Sequence, residues 1–235
     1  MLNLGRCVVL GVASAAACLS QAVVLIDDFS TGAYSLEVSP SSTVAEAVRA
    51  GSMLGGERDA LLRHISGPVG ISSVVLPGGL VVFYSSGSQT AGVLSLQYDG
   101  QDGESESDGV FTNGTGLNLD LSPLSHFQLQ FAFLDTGISP TLSVQVHVVS
   151  ASGTLSGGFF VPEGAPTALL PFASLTGSGT LTGVQRIQFD FAASAAADFT
   201  LSSISAVPVP PLLVPFGLAT LALMARGRRS RRQAE

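Results

Sequence analysis

The chain has 235 residues, of which 46% are hydrophobic and 11% charged, with 27 glycines, no tryptophan and a formal net charge of −7. All ten basic residues are arginine, and five of them fall in the last ten positions. This length bounds the molecule to one sizeable domain with terminal segments, and the acidity excludes a nucleic-acid partner, whose phosphates need basic side chains.

At the start, Met1 to Ala22 carries Arg6, an apolar stretch from Cys7 to Leu19 and small residues at Ser20 and Ala22. This is the pattern of a secretory signal peptide, an apolar helix cleaved after Ala22. Lipid attachment at Cys18 and an uncleaved anchor are the competing readings. Residues 23–206 form the expected domain. Both cysteines, Cys7 and Cys18, stay behind in the signal, so packing rather than a disulfide must stabilise it. Sixteen of the seventeen acids lie in this stretch against Arg49, Arg58, Arg63 and Arg186, a formal charge of −12. Such a surface stays soluble, avoids anionic membranes and attracts divalent cations.

Within the domain the hydrophobic period is two. Leu94, Leu96 and Tyr98 form one dry stripe. Phe127, Leu129, Phe131 and Phe133 alternate with His126, Gln128 and Gln130; Leu142, Val144, Val146 and Val148 alternate with Thr141, Ser143, Gln145 and His147. Ile187, Phe189 and Phe191 alternate with Arg186, Gln188 and Asp190. Half-buried antiparallel strands require such a pattern. Turn clusters at Pro77-Gly78-Gly79, Gly100 to Gly103, Asn113-Gly114 and Gly177 to Gly179 separate the runs. The expectation is an all-β antiparallel β-sandwich, flanked by the N-terminal signal helix and a C-terminal transmembrane helix.

Four short segments carry a further likeness: Ile26-Asp27-Asp28-Phe29, Leu54-Gly55-Gly56-Glu57-Arg58-Asp59, Leu119-Asp120-Leu121 and Asp198-Phe199-Thr200-Leu201-Ser202-Ser203-Ile204. Their order resembles the galactose-binding-like jelly rolls of secreted bacterial modules. That resemblance implies a jelly-roll sandwich whose first and last strands lie close. It also raises a cation site in which Asp27 or Asp28 meets Asp198. Such closing strands often read Leu-Asp-Asn-Ile, and this chain has Leu201-Ser202-Ser203-Ile204.

Chemistry is thinly supplied. His64, His126 and His147 are scattered, and no Gly-x-Ser-x-Gly elbow, His-Glu-x-x-His helix or phosphate-binding glycine loop occurs, so the chain reads as a non-enzyme without a resident cofactor. The one ion that the sequence suggests is calcium. Asp99, Asp102, Glu104, Glu106 and Asp108 crowd one loop, although Gln101 and Gly103 fall where an EF-hand would place ligands. A solvated acidic loop is the competing reading. Sugar binding by ring stacking has only Tyr34, Tyr84 and Tyr98 to draw on, with Arg58 and Asp59 as hydrogen-bonding groups.

The last segment reads Val207-Pro208-Val209-Pro210-Pro211, then apolar residues from Leu212 to Ala225, then Arg226, Arg228, Arg229, Arg231 and Arg232. As a helix the apolar run spans about 21 Å against a hydrocarbon core of roughly 30 Å, short for a permanent anchor. Arginines directly behind it mark the cytoplasmic side. Proline motif, short span and arginine cluster in this order resemble the PEP-CTERM sorting signals of Gram-negative bacteria, in the variant that reads Val-Pro-Leu-Pro-Ala. The resemblance implies processing by the membrane enzyme exosortase over residues 207–235, after export by the secretion machinery across the inner membrane. The expected destination is the cell envelope or extracellular matrix. There the domain has a structural or adhesive role, or acts as a carbohydrate-binding module on extracellular polysaccharide.

Overall fold

A computed structural model describes residues 22–76, 79–85, 89–101 and 115–208. The signal segment up to residue 21 and the tail from residue 209, with both expected terminal helices, lie outside the described residues. Among the described residues no helix is long and apolar enough to cross a membrane.

In chain order the strands are β1 (Val24–Asp27), β2 (Ser35–Val38), β3 (Val44–Ala50), β4 (Glu57–Ser66), β5 (Ile71–Leu76), β6 (Leu80–Ser85), β7 (Ala91–Tyr98), β8 (His126–Asp135), β9 (Thr141–Ser150), β10 (Gly153–Pro162), β11 (Thr167–Pro171), β12 (Thr176–Gly177), β13 (Val184–Ala193) and β14 (Asp198–Val207). They form two antiparallel sheets. The first runs β11-β8-β14-β6-β5-β2, with β1 also pairing β14, and the second runs β12-β10-β9-β13-β7-β4-β3. The fold is therefore an all-β antiparallel sandwich.

The alternating stripes are what hold the two sheets together. Leu94, Leu96 and Tyr98 of β7, Val144, Val146 and Val148 of β9 and Ile187, Phe189 and Phe191 of β13 are all buried in the core. Rings from the first sheet meet them: Phe127 lies edge-on to Phe189 at 5.2 Å and Phe199 packs on Phe191 at 5.4 Å between centroids. Aromatic pairs in these offset or edge-on geometries stabilise beyond their buried area. The expected β8 stripe holds only as far as Phe131. Phe131 and Phe133 sit opposite consecutive residues of β14, Leu201 and Thr200, so Ala132 is an extra residue in the ladder. This bulge turns Phe133 outward, 54% exposed, and brings Leu134 into the core instead.

One polar cluster closes the sandwich where β1 meets β14. Arg58, the second residue of β4, points into the core and is fully buried. Its Nη1 donates to Asp27 Oδ2 at 2.6 Å, and its Nη2 donates to the carbonyls of Thr31 and Gly32. The guanidinium lies 5.3 Å from the Phe29 ring centroid and 5.5 Å from that of Tyr34. Tyr98 donates its hydroxyl to Asp27 Oδ2 at 3.0 Å, and the Phe29 amide donates to Oδ1 at 2.7 Å. That last bond holds Phe29 in the left-handed region, at φ 56°, where a bulky side chain is uncommon.

Removing one member of a buried ion pair strands the other charge, which typically costs about 3–5 kcal/mol. Asp27→Ala is expected to lose stability on that scale in urea denaturation, and more than an Asp27→Leu, Arg58→Met double variant, which leaves no buried charge. A single variant as stable as the wild type would contradict the assignment.

The tyrosines supply a second expectation. Burial pushes the Tyr34 phenol up to about 12, and burial, with the neighbouring Asp27 carboxylate next, holds the Tyr98 phenol well above its ordinary value. An unfolded tyrosine ionises near pH ~10, so the stability these groups contribute is complete below that pH and is lost as pH rises through 12. In an alkaline titration followed by phenolate absorbance, both residues should ionise together with unfolding. Ionisation near pH ~10 with the fold intact would refute this.

Candidate functional site

Strand alternation that sends Ala60, Leu62, Leu94, Leu96, Phe189 and Phe191 into the core sends their neighbours to the outer face of the second sheet. Cross-strand pairing orders that face into transverse rows. One row reads Val48, Asp59, Gln97, Gln188, His147 and Ser156. The next reads Glu46, Leu61, Ser95, Asp190, Gln145 and Gly158, and the third Val44, Arg63, Val93, Ala192, Ser143 and Phe160.

The first two rows are mostly polar and carry hydrogen bonds within the face. Gln188 Nε2 donates to Asp190 Oδ1 at 2.8 Å, and His147 Nε2 lies 3.4 Å from Asp190 Oδ2. Burial pushes the Asp190 carboxyl up, but hydrogen bonds from His147, Gln188 and Ser95 outweigh it and hold the group below the usual carboxylate range. Gln97 Nε2 donates to Asp99 Oδ2 at 3.0 Å. Glu57, Asp59, Gln97 and Asp99 are buried although they belong to the face turned away from the core.

The third row is different in kind. Four of its members, Val93, Ala192, Ser143 and Phe160, line a groove of about 430 Å³ that crosses five strands, together with Ile65 of β4, Ala91 of β7, Ala193 of β13, Thr141 of β9 and the loop residues Ser139 and Ser194. Ile65 is 60% exposed and Phe160 73% exposed, one near each end. Small side chains in the middle and large apolar ones at the ends give a shallow trough that an extended ligand can enter. Its hydroxyls offer both donors and acceptors. A second hollow of about 480 Å³, at the β2–β3 corner between Glu37, Ser39, Ser42 and Ser72, has no aromatic wall.

The residues singled out from sequence are dispersed. Asp27 is committed to Arg58. Asp28 accepts from the Ser30 amide at 3.0 Å and hydroxyl at 2.6 Å, an Asx turn that lowers its pKa. Asp198 sits opposite Asp135, whereas Asp27 sits opposite Ile204, six positions along β14 and about 20 Å away at ~3.3 Å per residue. The structure does not bring the opening and closing acids together. Asp99 is described, but Asp102, Glu104, Glu106 and Asp108 lie outside the described residues, as do Val209 to Pro211 and Arg226, Arg228, Arg229, Arg231 and Arg232. Among the described residues there is no group of three or more histidine, cysteine or acidic side chains placed to hold a metal. Val207 is the last paired residue of β14, opposite His126, and its carbonyl accepts from the Ser125 amide at 2.9 Å. Pro208 follows at once.

For sugar stacking the tyrosines supply little: Tyr34 and Tyr98 are buried, and the Tyr84 side chain lies outside the described part. Arg58 and Asp59 are buried too, so neither is free to reach a ligand. The exposed ring on the groove is Phe160. Sequence reading missed it because Gly157-Gly158-Phe159-Phe160 has two glycines and no alternation to assign a face.

No family model matches the chain, and no curated protein does. Among solved structures, the family 11 carbohydrate-binding module of the cellulosomal cellulase Lic26A-Cel5E of Clostridium thermocellum is similar at 12% identity and a TM-score of 0.39, over 80% of this chain and 95% of that one. The family 11 module from the same organism in complex with a β-1,3-1,4-mixed-linked tetrasaccharide gives 14% identity and 0.35, over 79% and 95%. An agarase, AgWH50C, gives 9% and 0.39, over 63% of this chain and 22% of its own. At these values nothing about this chain's ligand follows from the likeness.

Proposed function

We propose that the protein is a secreted, non-catalytic β-sandwich of the bacterial envelope or matrix whose adhesive role is to hold a polysaccharide in the groove of its second sheet. The observation that carries the reading is the transverse groove ending on the exposed Phe160 ring. A flat apolar ring beside serine and threonine hydroxyls suits a ligand with an apolar C–H face and hydroxyls of its own. The groove crosses the strands, so a linear polymer can enter and leave at both ends. Export and sorting rest on the apolar N-terminal segment and on the order of proline motif, short apolar run and arginines in the tail.

The binding reading is tested with the full chain against a panel of soluble polysaccharides by affinity electrophoresis or calorimetry. At least one polymer should bind, and Phe160→Ala should weaken it by about tenfold, the equivalent of ~1.4 kcal/mol for one lost ring contact. Binding to no polymer would leave a purely structural role.

Processing is tested separately, by intact-mass measurement of protein recovered from the envelope and medium. The mature form should begin after Ala22 and lack the residues from Leu212 onward. A mature species that retains Arg226 to Arg232 would refute removal of the tail.

A further inference from the structure

Arg63 stands in the same transverse row as the groove floor, opposite Val44 on one side and Val93 on the other. Its Nε is buried without a hydrogen-bond partner, and it makes no ion pair among the described residues. The domain's other arginines are engaged: Arg49 donates to the carbonyls of Ala33 and Val48, Arg58 holds Asp27, and Arg186 has an interaction of its own. In a stretch with sixteen acids and four arginines, a half-buried arginine with no ion pair among the described residues is out of keeping with its surroundings.

The groove itself has no carboxylate among its lining residues. Register places the nearest outer-face acids, Glu46 and Asp190, in the adjacent row, and both are already engaged, Asp190 by Gln188 and His147. The trough is thus lined without acids on an acidic domain, and Arg63, although not itself a lining residue, is the cross-strand neighbour of Val93, which is. From β4 to β10 the row crosses four inter-strand spacings, about 19 Å at ~4.8 Å each, so an anion at Arg63 and a ring stacked on Phe160 fit one extended ligand.

Resting on the polysaccharide reading, we infer that the groove selects a glycan bearing oxyanion groups, with Arg63 as the specificity-determining residue. The guanidinium fork matches a carboxylate or a sulfate through two parallel hydrogen bonds, a geometry that lysine lacks. A uronic acid and a sulfate ester supply the same chemistry, so both belong in the test. Because the rest of the domain repels polyanions, discrimination falls on this one contact.

The experiment compares a polyuronate, a sulfated galactan and an unsubstituted β-glucan on the full chain, for wild type, Arg63→Gln, Arg63→Lys and Phe160→Ala, with melting curves to verify folding. One of the two anionic polymers should bind more tightly than the neutral one. Arg63→Gln should weaken that binding by about tenfold or more while leaving neutral binding within about twofold, with Arg63→Lys between them. Phe160→Ala should weaken binding to every polymer. Tighter binding of the neutral glucan, or anionic binding unchanged in both Arg63 variants, overturns the inference and leaves the polysaccharide reading standing. Failure of all three polymers to bind overturns both.

Discussion

The Asp27–Arg58 pair is the contact on which the rest of the arrangement depends. It joins β1, at the margin of the first sheet, to β4 in the second, and its spare guanidinium hydrogens gather the carbonyls of Thr31 and Gly32 from the connecting segment. Burying two charges is costly, and an apolar pair of similar volume would often stabilise as well or better. What the pair adds is register. A one-residue slip of β4 would carry Arg58 to the outer face and Asp59, Leu61 and Arg63 into the core, because side chains alternate with period two. With Arg58 held by Asp27 and flanked by Phe29 and Tyr34, that slip would abandon an ion pair and two ring contacts together. The same constraint that closes the core therefore fixes which β4 residues face the groove.

The two faces of the second sheet divide the work. Inside, Val144, Val146, Phe189, Phe191, Leu94 and Leu96 bury a continuous apolar surface, with no polar side chain from their own rows to satisfy. Outside, the polar rows are tied to one another: Gln188 to Asp190, His147 to Asp190, Gln97 to Asp99. Residues two apart on a strand, or opposite one another across strands, share a face and meet in this way. Such bonds use up donors and acceptors within the sheet. The groove row instead carries the Ser143 hydroxyl, apolar side chains, the Phe160 ring and Arg63, and this separates it from the polar rows beside it.

Much of the sandwich is legible in sequence because period-two alternation in β7, β9 and β13 is a direct consequence of burying one side of a pleated strand. Phe133 shows the limit: nothing in His126 to Asp135 signals that Ala132 is an extra residue, since a bulge depends on the partner strand as much as on its own. Arg58 shows another, because an arginine is read as exposed unless its partner is known, and Asp27 lies 31 residues away. The groove is less legible still. Ile65, Val93, Ala192, Ser143 and Phe160 come from five strands, and only register aligns them. Arg63 follows from Arg58: β4 is buried continuously from Glu57 to Leu62, and only the inward placement of Arg58 assigns residue 63 to the other face.

The placement of the termini bears on how such a groove would be presented. β1 and β14 run antiparallel, with Val24 opposite Ala206, so the chain enters and leaves the domain side by side. That end also holds Arg58 at the start of β4 and Tyr98 at the close of β7, which meet Asp27 there. The groove lies toward the other end of the same strands: Ile65 near the close of β4, Ala91 at the start of β7, Ala193 at the end of β13. From Arg58 to Arg63 is about 16 Å along β4 at ~3.3 Å per residue. Pro208 follows the last paired residue of β14 directly. The groove therefore lies at the end of the second sheet remote from the point where the first and last strands meet.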